Sequence, residues 1–151
     1  MAVATNDLQP VDMQAACVVD RDGGAAAEEQ MRAKVRGLLC SLYPRGNVME
    51  RRGEQRFPFP YLMHLTPVTQ QNVAQVEESV VVTGKHISEH GLSFYHNHPL
   101  PNRRMIVSVE MSNGAWLGVL IDLTWCRFTK HGWYESGGRF LRLVDLPVEM
   151  Q

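Results

Sequence analysis

The chain has 151 residues, 44% of them hydrophobic and 21% charged, which is the balance of one globular domain with a sizeable core. Fifteen Lys plus Arg against sixteen Asp plus Glu leave a formal charge of −1, which excludes a strongly basic nucleic-acid binder and an acidic disordered tail as readings of the whole chain. No apolar run reaches the roughly 20 residues that span a bilayer. The first residues have neither signal-peptide nor transit-peptide character, and three widely spaced cysteines (Cys17, Cys40, Cys126) form neither a disulfide framework nor a zinc knuckle. A reducing cytoplasm is the expected compartment.

Residues 1–26 read as a flexible tail, with Pro10, the run Asp20-Arg21-Asp22, and Gly23-Gly24. Within 27–45 an amphipathic helix is expected from Glu28 to Tyr43. Met31, Val35, Leu38, Leu39 and Leu42 recur on one face of a 3.6-residue period. Glu28 and Glu29 are expected in its first turn, facing the positive end of the dipole, and Pro44 and Gly46 end it. Such a stripe is expected to dock on the following domain, with a partner helix as the alternative.

From residue 57 the period changes to that of strands. Tyr61–Leu65, Ser79–Thr83, Leu92–Tyr95, Met105–Met111, Ala115–Phe128 and Trp133–Leu143 are the six expected strands, the fifth bending near Gly118. Pro99, Pro101, Asn113-Gly114 and His131-Gly132 separate them. Six short strands without β–helix–β alternation predict a mainly β fold, a small antiparallel barrel occupying 46–146. The tryptophans Trp116, Trp125 and Trp133 lie in apolar strands and are expected in the core. His96-Asn97-His98 has two imidazoles on one side of an extended segment, but a site wants a third ligand and nothing in the sequence fixes the geometry of nearby His86 and His90, so surface histidines are expected and no metal. No acid, base and nucleophile are arranged for catalysis.

Two short segments carry the functional signal. Before the first strand stand Arg51, Arg52 and Arg56, three planar guanidinium forks that grip phosphates or read a guanine edge. After the second strand comes His86-Ile87-Ser88-Glu89-His90-Gly91, a polar turn with a short hydroxyl and a glycine. Either alone is commonplace surface. In this order they resemble the RRxxxR and (D/N)xSxxG motifs of the PilZ domain family, and Trp133-Tyr134-Glu135-Ser136-Gly137-Gly138-Arg139-Phe140 resembles that family's last strand.

The resemblance covers roughly residues 46–145. It implies a six-stranded antiparallel PilZ-type β-barrel with an N-terminal amphipathic helix. It further implies a bacterial, non-enzymatic receptor for the second messenger cyclic di-GMP. The implied ligand contacts are Arg51, Arg52, Arg56, His86, Ser88 and Gly91, with no cofactor besides that ligand. The implied output is loop ordering sensed by a downstream protein, with no DNA or RNA, no membrane insertion, and a monomer or homodimer as the assembly. One residue departs from the pattern: His86 stands where the family has Asp or Asn. A neutral imidazole accepts through one nitrogen and an imidazolium through none, so the contact to a guanine is weaker than a carboxylate's. The alternative is therefore a PilZ-like interaction adaptor that has lost the ligand.

Overall fold

The computed structural model describes residues 24–43, 55–111 and 113–146. One helix, α1 (Gly24–Leu42), precedes seven strands: β1 (Phe57–Pro58), β2 (Leu62–Pro67), β3 (Val80–Ile87), β4 (Gly91–His96), β5 (Arg104–Glu110), β6 (Trp116–Phe128) and β7 (Tyr134–Val144). All neighbours are antiparallel, in the order β1-β3-β2-β5-β6-β7-β4. A further β3–β4 pairing closes β2 to β7 into a ring. The result is the closed six-stranded barrel with an N-terminal helix that the PilZ resemblance implies, with β1 as a two-residue addition outside the ring. Closure pairs every ring strand on both sides, except that β6 beyond Leu123 pairs with β7 alone.

Alternation explains which side chains fill the interior. On β4, Leu92, Phe94 and His96 are buried while Gly91, Ser93 and Tyr95 are only partly covered. On β5, Met105, Val107 and Val109 join Phe94, Leu65 and Ile121 inside the barrel. The other face of β5 is buried too. Ile106 packs with Leu120, Val68 and Ala74 in a second apolar cluster, covered by Leu146. The connection after β2 is thus more than a polar link: its Val68–Ala74 bridge covers the sheet, and a 3-10 turn at Val76–Glu78 follows.

Helix α1 stoppers one mouth of the barrel. Met31, Val35, Leu38 and Leu39 are all buried, and Val35 and Leu38 reach Phe59, Ile87, Leu92, Val109 and Leu117. Apart from Phe59, which precedes β2, these partners sit at the ends of β3 and β5 and the starts of β4 and β6, which is one end of the ring. The stripe therefore docks on its own domain. The helix begins at Gly24, ahead of the expected start, so Glu28 and Glu29 lie beyond its first turn. They pair instead with Arg32 and Arg36, at 3.2 and 3.1 Å. Just past the helix, Tyr43 stacks on Phe57 with ring centroids 5.1 Å apart, and its hydroxyl donates to the Pro58 carbonyl. The chain that leaves α1 is thereby tied to the strand at which it returns.

The opposite mouth is closed by a polar pair. His96 Nδ1 lies 2.7 Å from the His98 carbonyl, which can only accept, so Nδ1 carries the proton. Nε2 then accepts from the Ser136 hydroxyl at 2.7 Å. The ring also stacks on Tyr134. Instead of the surface histidine expected from His96-Asn97-His98, His96 is a satisfied core residue with both nitrogens engaged. Burial holds its pKa below the ordinary 6.5.

Glycines set the closest backbone approaches. A Cβ on Gly91 would stand 2.1 Å from the Gly138 carbonyl oxygen, and one on Gly84 would stand 2.4 Å from that of Phe59. The expected bend of β6 at Gly118 is not where its ladder shifts. The irregularities fall at Leu120/Ile121 and Leu123/Trp125, and the bare Cα of Gly118 makes room for Leu146.

Three outcomes follow. Leu38→Ala costs about 2–5 kcal/mol in a urea titration, through lost burial and the cavity left at the barrel mouth. Gly91→Ala costs about 1–3 kcal/mol by the same measurement, because β4 must move off β7. The lowered His96 pKa means that the unfolded chain takes up this proton first as pH falls. Its share of stability is complete above the unfolded value, near 6.5, and declines as pH drops below that. Urea midpoints between pH 8 and pH 5 should show that decline in the native protein and a flatter profile in His96→Leu.

Candidate functional site

The end of the barrel stoppered by α1 carries an open cavity of about 290 Å³ on its outer face. Four of the six residues expected to bind ligand line it: Arg56, His86, Ser88 and Gly91. Arg51 and Arg52 lie outside the described residues. The strand pairing brings the four together. β1 lays Pro58 opposite His86, so Arg56, two residues earlier, arrives beside the end of β3. The turn from β3 into β4 then supplies Ser88 and Gly91.

The tight turn explains two of these residues without reference to a ligand. Ser88 N–H donates to the Gly91 carbonyl at 2.9 Å. The Ser88 hydroxyl oxygen accepts from the His90 N–H at 3.2 Å, the local side-chain turn that serine favours. Gly91 is required for its close approach to β7, because a side chain would strike the Gly138 carbonyl. Its backbone needs no left-handed angle: the described positive-φ glycines are Gly114 and Gly132. The SxxG half of the motif thus builds a fixed turn, and what it presents to solvent is a short hydroxyl flanked by bare backbone.

His86 is half-buried, pairs across β3–β4 with Ser93, and has no side-chain hydrogen bond among the described residues. Arg56 is exposed and likewise has no carboxylate partner among them. That contrasts with other described cations. Arg103 is held by Asp122 at 2.8 and 3.2 Å, and Arg104 donates to Asn72. Lys85 and Arg127 share Glu135.

The structure adds residues that the motif reading passed over. Arg139, in register with Gly91 across β4–β7, lines the cavity and has no ion pair among the described residues. Thr124 and Trp125 come from β6. Trp125 is 43% exposed and Trp133 46%, so neither is the core residue expected of it, and Trp116 is only partly buried. The reason is Gly137. A Cβ there would lie 2.3 Å from Trp125 Nε1, so the indole occupies the place of the missing side chain and lies against β7 outside the barrel. The pair Gly137-Gly138 was the sequence signal for this seat, legible only with the β6–β7 register in hand. The cavity therefore has an aromatic wall, two guanidinium groups with no ion pair among the described residues, two imidazoles (His86 and His90) and the hydroxyls of Ser88, Ser93 and Thr124. That set suits an anion bearing planar, hydrogen-bonding rings.

A second link joins the site to the helix. Arg36 on α1 lies 3.9 Å from Glu89, inside the Ser88–Gly91 turn. No metal-binding cluster of His, Cys, Asp or Glu occurs among the described residues, and no described helix is long and apolar enough to cross a membrane.

No protein-family model and no curated protein matches the chain. Among solved structures it is similar to the Bacillus subtilis inhibitor of motility MotI/DgrA, with TM-score 0.47 and 13% identity over 64% of this chain and 45% of that one. It is also similar to K. pneumonia MrkH in its apo state, with TM-score 0.41 and 9% identity over 62% of this chain and 44% of that one. A second crystal of MrkH gives 0.39 and 12%, over 62% and 42%. The chain spans under half the length of these neighbours.

Proposed function

We propose that this chain is a non-enzymatic receptor that binds cyclic di-GMP at the Arg56–His86–Ser88–Gly91 cavity and passes the signal to a protein partner. The observation that supports the reading is that Arg56, from the first motif, and His86, Ser88 and Gly91, from the second, line one cavity, and that Arg56 and Arg139 have no carboxylate partner among the described residues. A site whose guanidinium groups are already paired would have to break those pairs to take up a phosphate. Arg56 and Arg139 have no such pair among the described residues.

Each residue has a part under this reading. Arg52 is four residues from Arg56, so its Cα stays within about 14 Å of that of Arg56 whatever the path between them. Arg51 stays within about 18 Å by the same chain geometry. The three arginines contact phosphates and guanine Hoogsteen edges, and Arg139 supplies a further cation from β7. Trp125 offers a ring face to a base. His86 faces a guanine from the barrel and accepts one hydrogen bond where an Asp would accept two or more. The cavity, at about 290 Å³, lies at the lower end of small-molecule pockets, roughly 300–1,000 Å³. Under this reading the ligand orders the segment that carries Arg51 and Arg52. The Tyr43–Phe57 stack and the Arg36–Glu89 contact are the routes by which ordering of that segment reaches α1 and a partner.

The specific observation for a second reading, a barrel adaptor without ligand, is His86 itself. Calorimetric titration with cyclic di-GMP separates the two. Under the receptor reading the native chain binds, and Arg56→Ala and Arg52→Ala each weaken affinity by roughly 10- to 100-fold, the value of a charge-assisted contact. Added salt weakens it further, and His86→Asp strengthens it. No heat of binding for the native chain, with binding appearing only in His86→Asp, identifies the adaptor. Undiminished affinity in the Arg52→Ala, Arg56→Ala double variant rejects the site.

A further inference from the structure

The opposite end of the same outer face carries a second groove, of about 740 Å³, that the motifs do not reach. It lies where β6 turns into β7. Phe128, 63% exposed, and Trp133 line it together with Tyr95. Large aromatic side chains left this open are unusual outside contact surfaces.

A fixed pair of cations stands at the centre of this groove. Glu135 is almost wholly buried and ionised, and each of its oxygens is taken. Lys85 Nζ lies 2.6 Å from Oε2, while Arg127 Nε and Nη2 lie 3.2 and 2.9 Å from Oε1. Burial alone would raise the carboxyl pKa. The hydrogen bonds and charges of Lys85 and Arg127 outweigh it and hold the pKa below its ordinary value. Lys85 also sits over the Tyr95 ring, 5.5 Å from its centroid. One carboxylate thus orients two cations and neutralises one of them. Lys130 adds a third, so the groove holds a surplus of two positive charges. Lys85 and Arg127 keep N–H donors that Glu135 does not use. Their geometry is set in advance, which removes part of the ordering cost of binding.

The strand register shows what continues the groove. Leu62, Thr83, Tyr95, Glu135 and Arg127 form one cross-strand row over β2, β3, β4, β7 and β6. The row ends on Leu62, 69% exposed, with exposed Val81 on the neighbouring strand. A nucleic-acid backbone would need further cations along this path and meets leucine and valine instead. A peptide with apolar side chains between its carboxylates meets both halves of the surface.

We propose that this groove docks an acidic segment of a partner protein, its aromatic or aliphatic side chain seated between Phe128 and Trp133 and its carboxylates on Arg127, Lys85 and Lys130. The proposal is independent of the dinucleotide reading, because no residue of the groove belongs to the first cavity.

The test is fluorescence anisotropy on the full chain with a labelled peptide of about 12 residues alternating Glu with Leu and Phe, beside the same peptide with Lys for Glu. The acidic peptide binds and the lysine peptide does not. Phe128→Ser with Trp133→Ser, or Lys130→Glu alone, weakens it by about tenfold or more, as loss of an anchor does. These positions are exposed, so the variants fold, and calorimetry with cyclic di-GMP should be unchanged by them. Equal binding of the two peptides overturns the proposal, as does full affinity in the variants or no binding of the acidic peptide. Preferential binding of oligo(dT) or of phosphatidylglycerol vesicles, or a dimer in sedimentation that the variants disperse, assigns the groove to another occupant and also overturns it.

Discussion

At Gly91 two strands approach more closely than any side chain would permit. Both the ring and its cavity depend on that approach. The Gly91 Cα faces the Gly138 carbonyl where β4 meets β7, while β4 also pairs with β3 to complete the closure. A barrel of six short strands has little interior to spare, so its last seam must be tight. The same tightness leaves a shallow, bare-backbone surface outside, bordered by the Ser88 turn on one side and Arg139 on the other. The glycine that makes closure possible is thus also what keeps the cavity open.

The two ends of the ring are finished by different physics. At one, α1 buries an apolar stripe, and burial of each such side chain is worth about 1.5–3 kcal/mol. At the other, His96 and Ser136 satisfy each other in a site where an unpaired polar group would be costly. The apolar end is the one beside the cavity. Its helix is joined to the cavity turn by Arg36 and Glu89, and to the base of the arginine segment by Tyr43 and Phe57. A helix held by side chains alone can shift without breaking a backbone ladder, which makes it the element of this domain best placed to move.

Charge is distributed with the same division. The formal charge of −1 hides a surface on which most described arginines are internally paired and a few are not. Arg103 is held by Asp122 and Arg32 by Glu28, whereas Arg56 and Arg139 line one cavity with no ion pair among the described residues. At the far groove, Lys85 and Arg127 are paired yet over-supplied, since they share one buried carboxylate. Trp125, seated over Gly137, divides the two regions. Net composition speaks to none of this, because binding responds to local surplus rather than to the sum.

Much of the architecture was legible in the residues themselves. Short apolar or β-branched runs between turn signals marked all six ring strands, the 3.6-residue stripe marked α1, and the order of the two motifs pointed to the family fold and to Arg56, His86, Ser88 and Gly91. These are local signals, carried by neighbours in the chain. What depended on pairing across strands was not legible. Trp125 and Trp133 read as core because an apolar strand does not reveal which face a bulge turns outward, and only the β6–β7 register shows Gly137 making a seat for an indole. Arg139 looked like any charged residue of a last strand until β4 placed it opposite Gly91. His96 looked like a surface imidazole because its partner, Ser136, lies forty residues away. Sequence determined the elements and the motif, since those rest on short-range periodicity and residue chemistry. Tertiary structure decided which charges are left unpaired and which rings are left exposed, since those depend on contacts between residues far apart in the chain.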